Sequence, residues 1–126
     1  MIIRRAAPLA LLWALGIMVL TLMPASDVPR WHWAAQVHLD KFVHAFLFGV
    51  QGVLLGLAFA NKRTWRSPAH PFLLALLIAI LFGALIEVLQ EGMDVGRSGD
   101  VWDVLADGAG ALLGYWFLRW WQRRRA

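Results

Sequence analysis

Four long apolar stretches, separated by charged or Gly- and Pro-containing segments, organise this chain. The first covers residues 6–23 and holds no charge. The second covers residues 40–60 and is charged only at its opening, Asp40 and Lys41. The third covers residues 70–91 and is apolar until Glu87. The fourth covers residues 101–121, with Asp103 and Asp107 near its start. A helix crossing the hydrocarbon core needs roughly 20 largely apolar residues, and each stretch supplies about that many. The pattern predicts an all-α, four-helix transmembrane bundle, a single domain over residues 1–126. No connecting segment is long and polar enough to fold by itself, and no heptad, repeat or low-complexity tract stands out.

Composition points the same way. The chain is 60% hydrophobic and 16% charged, where a soluble domain is nearer half apolar and a quarter charged. Its eight tryptophans suit the membrane–water interface, and Trp31, Trp33, Trp102, Trp116, Trp120 and Trp121 read as anchors there. The absence of cysteine removes disulfides, thiolate metal sites and a cysteine nucleophile. Arg4 and Arg5 before the first span resemble the start of a signal peptide. The apolar run outlasts the ~7–15 residues of such a segment, so the span is expected to stay with the chain.

Charge gives the direction. Arg4, Arg5, Lys62, Arg63, Arg66, Arg119, Arg123, Arg124 and Arg125 fall on one side, against Arg30, Lys41 and Arg97 on the other. The positive-inside rule makes the first side cytoplasmic, with both termini there. All the acids, Asp27, Asp40, Glu87, Glu91, Asp94, Asp100, Asp103 and Asp107, fall on the outer side. The net charge of +4 is therefore a topology signal. The arginine-rich end reads as an anchor against anionic lipid, and no nucleic-acid partner is expected.

An ionisable residue inside a span is costly and normally faces the bundle interior. Asp40, His44 and Gln51 share one face of the second helix by their spacing. Glu87, Gln90 and Glu91 share a face of the third, with Gly83 one turn deeper. Asp100, Asp103, Asp107, Gly110 and Gly114 form one stripe on the fourth. The stripe is acidic outside and small inside, and the Gly110-x-x-x-Gly114 spacing allows close helix packing. Toward the cytoplasm only Gln51 and His70 are polar, so no relay of ionisable groups crosses the membrane, and a site open to the outer face is expected.

In order along the chain stand Asp40-Lys41-x-x-His44, Glu87-x-x-Gln90, and Arg97-x5-Asp103-x3-Asp107-Gly108-x-Gly110-x3-Gly114. With Pro24 after the first span, this series resembles the VanZ-like family of bacterial membrane proteins over nearly the whole chain. The chain departs from the family at Asp107, where the family pattern has Asn. The resemblance implies a multi-pass protein of the bacterial cytoplasmic (inner) membrane. It also implies a cell-envelope role associated with resistance to the antibiotic teicoplanin. It supplies no reaction.

The candidate catalytic residues are Glu87, His44 and Asp103, and the candidate ligand-binding residues are Lys41, Arg97, Gln90, Asp40 and Asp107. Each also has a structural reading. Asp40 and Lys41 suit an interfacial helix start, since an anion is favoured at a helix N-terminus. Asp100 suits the N-cap of the fourth helix. Glu87 opposes the dipole at its helix end and needs a partner, for which Arg97 or Lys41 is the natural candidate. Glu91 and Asp94 read as solvated loop charges, and His32 and His38 as members of a wet outer loop.

Three functions remain open. The first is binding of a membrane lipid, lipid-linked envelope precursor or glycopeptide. The second is an enzyme acting on a lipid-linked phosphate, with Glu87 as acid or base. The third is a small oligomeric transporter. The same oxygen ligands suit a divalent metal, with His44 favouring a transition ion over Mg²⁺.

Overall fold

The computed structural model describes residues 2–29, 31–60, 69–94 and 96–125, and most of these are helical with no strand among them. The helices are α1 (Ile2–Thr21), α2 (His32–Gln36), α3 (Leu39–Ala60), α4 (Ala69–Met93) and α5 (Val101–Arg125), with a 3₁₀ turn at Ala25–Asp27. The four expected spans correspond to α1, α3, α4 and α5. The short α2 is an addition inside the expected outer loop. Arg30, Lys62, Arg63 and Arg66, used above to orient the chain, lie outside the described residues.

Local chemistry sets the helix ends. The Thr21 hydroxyl turns back to donate to the Ile17 carbonyl at 2.8 Å, and Pro24, which lacks an N–H, opens the 3₁₀ turn. At the end of α4, Asp94 and Gly96 take left-handed backbone at φ 51° and 71°, the usual way a helix terminates. Asp100 then starts α5. Its carboxylate accepts the Trp102 N–H at 2.8 Å and its carbonyl accepts the Asp103 N–H at 3.0 Å, so the N-cap expected from sequence is formed.

Helix α3 is central and packs on α1, α4 and α5, most extensively on α5. Missing side chains make that approach close. A Cβ at Gly110 would overlap the Ala45 carbonyl, and one at Gly114 would overlap the Gly49 carbonyl. Gly52 meets Ala111 in the same way. Ile17, Leu47, Phe48, Ala79, Ile86 and Ala111 form the main apolar cluster, with Phe48 and Phe82 rings 5.7 Å apart. The Trp13 indole N–H ties α1 to α3 by donating to the Leu47 carbonyl at 2.9 Å.

Beside this apolar core, the distribution of the remaining side chains departs from that of a soluble protein. Thr21, His44, Gln51, Glu87, Gln90, Asp103 and Asp107 are buried, while Leu11, Leu12, Leu15, Phe42, Phe46, Leu77, Leu81, Val88 and Leu113 are exposed. Single exposed apolar side chains are ordinary, whereas so many of them together with buried acids mark faces turned to an apolar medium or a partner. By length and composition, α3 over Leu39–Phe59 and α4 over His70–Met93 are able to cross a bilayer, and the apolar part of α1, Arg5–Thr21, is shorter. Helix α5 is as long as α4 but carries Asp103 and Asp107 near one end and Arg119, Arg123, Arg124 and Arg125 near the other. Trp31, Trp33, Trp102, Trp116, Trp120 and Trp121 are all exposed.

Candidate functional site

The end of α1, the start of α3, the end of α4 and the start of α5 meet at one end of the molecule, and nearly every candidate residue lies there. The spacing of each helix explains the convergence. One turn separates Lys41 from His44, Asp103 from Asp107, and Glu87 from Gln90, so each pair lies along one helix face.

His44 Nδ1 lies 2.9 Å from Asp107 Oδ1. A carboxylate accepts, so this ring nitrogen donates. The other ring nitrogen, Nε2, lies 3.8 Å from Asp103 Oδ2. Lys41 Nζ donates to Asp103 Oδ1 at 2.8 Å, to Asp100 Oδ2 at 2.7 Å and to Asp40 Oδ2 at 3.2 Å. Glu87 Oε2 accepts the Asp100 backbone N–H at 2.7 Å. One ligand atom each from His44, Glu87 and Asp103 lie within 4.8 Å of one another, and all three residues are buried. Two oxygens in this cluster, Glu87 Oε1 and Asp107 Oδ2, are buried without a hydrogen-bond partner. Beside the cluster, Asp100 is held below the usual carboxylate range, chiefly by the Lys41 ammonium and then by the Trp102 N–H.

The structure departs from the sequence reading at Glu87. Neither Arg97 nor Lys41 pairs with it. Lys41 is taken by three aspartates, and Arg97 donates to the Thr21 carbonyl at 3.1 Å. Gln90 donates to the same carbonyl at 2.7 Å. The backbone of the tight loop before α5 holds one oxygen of Glu87 instead, and Gly99 lies so close that a Cβ there would press on the Glu87 carbonyl. Glu91, read as a solvated charge, accepts the Gly99 N–H at 2.9 Å. Together Glu87 and Glu91 hold this loop to the end of α4.

Arg97 and Gln90 therefore stand at the edge of the cluster, on the end of α1. Asp40 is exposed, at the rim. Asp100 and Thr21 were not among the candidates. Asp100 reads as a cap from sequence, yet its second oxygen completes the shell around Lys41. The signal available for it was charge balance, since Lys41 is the only cation on the N-terminal turn of α3. Thr21 acts through its main chain, for which side-chain patterns carry no signal.

A cleft of about 810 Å³ opens beside the cluster. Leu20, Met23, Val28, Val43 and Leu47 make its apolar wall, and Arg97, His44, Asp40, His32 and His38 give it polar groups. His32 and His38 thus contribute to a concave surface.

The sequence profile of the VanZ/LLP1 family matches residues 8–122. The chain belongs to the VanZ/LLP1 family. No curated protein and no solved structure matches it. Membership in VanZ/LLP1, together with two helices apolar and long enough to cross a bilayer, makes this a membrane protein. In this VanZ-like chain the buried carboxylates and His44 sit inside helices whose outward faces carry large apolar side chains.

Proposed function

We propose that this VanZ-like protein is a single-domain bundle in the bacterial cytoplasmic membrane, crossed four times, with both termini in the cytoplasm. Its polar site faces the outer leaflet and binds a lipid-linked envelope precursor or a glycopeptide, which lowers susceptibility to teicoplanin. The observation that carries this reading is the cleft of about 810 Å³, apolar along Leu20, Met23, Val43 and Leu47 and polar at Arg97 and His44. Its size falls in the ~300–1,000 Å³ range of small-molecule sites. An amphiphile matches such a surface: its chain covers the apolar wall and its anionic headgroup meets the Arg97 guanidinium.

The test is paired. Teicoplanin susceptibility is measured in a sensitive bacterium expressing wild type, Leu47→Trp to fill the cleft, or Arg97→Glu to reverse its charge. Binding of a lipid-linked precursor and of teicoplanin is measured on the same proteins in nanodiscs. The reading expects both substitutions to abolish protection and binding while the proteins remain folded. Binding that is indifferent to both would sink it.

The unpartnered oxygens of Glu87 and Asp107 favour a second reading, an enzyme acting on a lipid-linked phosphate. A buried carboxylate oxygen without a partner is costly, and catalytic sites are where such groups are retained. Glu87→Gln separates the readings: an enzyme loses turnover steeply with ligand affinity intact.

A further inference from the structure

Each of three buried side chains in the cluster has one atom held by a neighbour and a second atom left free. The Asp107 carboxylate holds His44 Nδ1 at 2.9 Å, leaving Nε2. Lys41 holds Asp103 Oδ1 at 2.8 Å, leaving Oδ2, which lies 3.8 Å from His44 Nε2. The Asp100 N–H holds Glu87 Oε2 at 2.7 Å, leaving Oε1 buried and without a partner. His44 is 5%, Glu87 6% and Asp103 8% exposed.

We propose that His44 Nε2, Asp103 and Glu87 bind one divalent transition-metal ion, with Asp107 as the positioning residue for the histidine. This rests on the reading of the cluster as a site and adds the ion through which it would hold an anionic headgroup.

The geometry fits. Ligand atoms at ~2.0–2.2 Å from a shared ion stand roughly 3–4 Å apart. The 3.8 Å separation of His44 Nε2 and Asp103 Oδ2 falls in that window, and the three-way spread within 4.8 Å needs only a small contraction. The supporting shell also fits. A metal-binding histidine almost always donates its other N–H to a carboxylate or carbonyl, which fixes the ring and its tautomer. Asp107 does this here.

Charge adds an independent reason. Five carboxylates, those of Asp40, Glu87, Asp100, Asp103 and Asp107, gather here, and the Lys41 ammonium pairs with three of them, Asp40, Asp100 and Asp103; Asp107 meets His44, Glu87 meets a backbone N–H, and Arg97 donates elsewhere. Two carboxylate ligands would neutralise a divalent ion in a place where uncompensated charge is expensive. One imidazole and two carboxylates, with no sulfur, select Zn²⁺, Mn²⁺ or Fe²⁺ over Ca²⁺ or Cu⁺. Three protein ligands leave a coordination position for a water or a phosphate oxygen.

The experiment uses the full chain, tag-free, in nanodiscs, stripped with chelator and titrated with Zn²⁺ and Mn²⁺ alone by calorimetry. X-ray absorption at the zinc edge then defines the ligands in the wild type, so the result does not depend on any variant folding. One saturable site is expected, with a single imidazole and otherwise oxygen neighbours. Affinity should fall at least ~100-fold in His44→Ala and in Glu87→Gln/Asp103→Asn. It should fall ~10–100-fold in Asp107→Leu and be unchanged in His32→Ala/His38→Ala. The proposal is overturned if the folded wild type shows no saturable binding or two or more imidazoles. It is equally overturned if binding survives loss of both carboxylates or disappears with His32 and His38. Precursor binding by a chain that takes up no metal would end the metal proposal alone. Metal uptake with no effect of Leu47→Trp or Arg97→Glu on ligand binding would end the cleft reading alone.

Discussion

Gly83 on α4 presents bare backbone to the carboxylate of Asp107 on α5, and a Cβ at position 83 would overlap Asp107 Oδ2. The buried acid thus has its place only because its neighbour has no side chain. Alanine normally stabilises a helix interior over glycine by ~0.5–1 kcal/mol, while overpacking costs ~1–3 kcal/mol. Gly83→Ala is therefore expected to destabilise by about 1–2 kcal/mol, the overpacking outweighing the gain in propensity. Gly16→Ala, which meets nothing within 4 Å, should be neutral or stabilising. Unfolding of both variants in micelles checks the contrast. Equal stabilities would show that Asp107 does not occupy the space over Gly83.

The end of α1 is fastened through a single main-chain oxygen. The Thr21 carbonyl is one of the last four of its helix, which have no intrahelical donor, and Gln90 and Arg97 supply two. Gln90 is 3% exposed. Gln90→Leu should cost about 1–2 kcal/mol, the usual cost of an unmade buried hydrogen bond, moderated because Arg97 stays. The sequence contains no cysteine, so a single Met23→Cys reports on this end. Its labelling should speed up in the Gln90→Leu background, and an unchanged rate would mean that α1 is held by other contacts.

Acid should loosen the loop before α5. Asp100 has a folded-state pKa depressed by Lys41 first and the Trp102 N–H second. A carboxylate so depressed adds stability that is present above its unfolded pKa and lost as pH falls through the folded value. The window is therefore acidic and extends below the ordinary aspartate range. Lys41→Met removes the larger cause, so the Asp100 titration, followed by carboxyl-carbon NMR, should move up toward the ordinary value. A midpoint indifferent to Lys41 would show that the pair does not persist in the membrane.

The long elements were legible because one physical rule, burial of backbone in an apolar solvent, writes itself as uninterrupted apolar runs. Residues 40–60 match α3 closely, and residues 70–91 and 101–121 fall within α4 and α5. The shared faces were legible too, since Asp103, Asp107, Gly110 and Gly114 do lie on the face of α5 that meets its neighbours. Partner choice was not. Lys41 and Asp100 stand 59 positions apart and Gln90 and Thr21 stand 69 apart, and no local pattern encodes such pairs. Glu87 was assigned a cation because charge suggests one, whereas the chain supplies a backbone N–H from a loop that glycine lets approach. Gly49 and Gly52 look like ordinary membrane-helix glycines until α5 is laid against them.

Sidedness can be measured directly in the same cysteine-free background. Ser98 lies exposed in the loop before α5, and Arg123 lies exposed near its other end. In intact cells a membrane-impermeant maleimide should label Ser98→Cys and leave Arg123→Cys unlabelled until lysis. That result is expected because the arginines concentrate at the C-terminal end of α5 and the acids at its start. The reverse labelling would place the carboxylate cluster in the cytoplasm and remove the outer-leaflet ligand from consideration.

Asp107 tests what the carboxylate does that an amide would not. Its Oδ1 meets His44 Nδ1, a contact that the carbonyl of an asparagine can also accept. The difference lies in charge and in Oδ2, which is buried against Gly83 without a partner. Asp107→Asn should therefore keep the His44 ring in place and replace the partnerless oxygen with an amide donor. Asp107→Leu should release the ring and cost roughly 1–3 kcal/mol for the buried nitrogen left unsatisfied. Histidine ring NMR in nanodiscs distinguishes the outcomes: the same tautomer in Asn and wild type, and a mixture in Leu. If Asn also scrambles the tautomer, the charge of Asp107 rather than its shape fixes His44, and the two residues act as an ion pair.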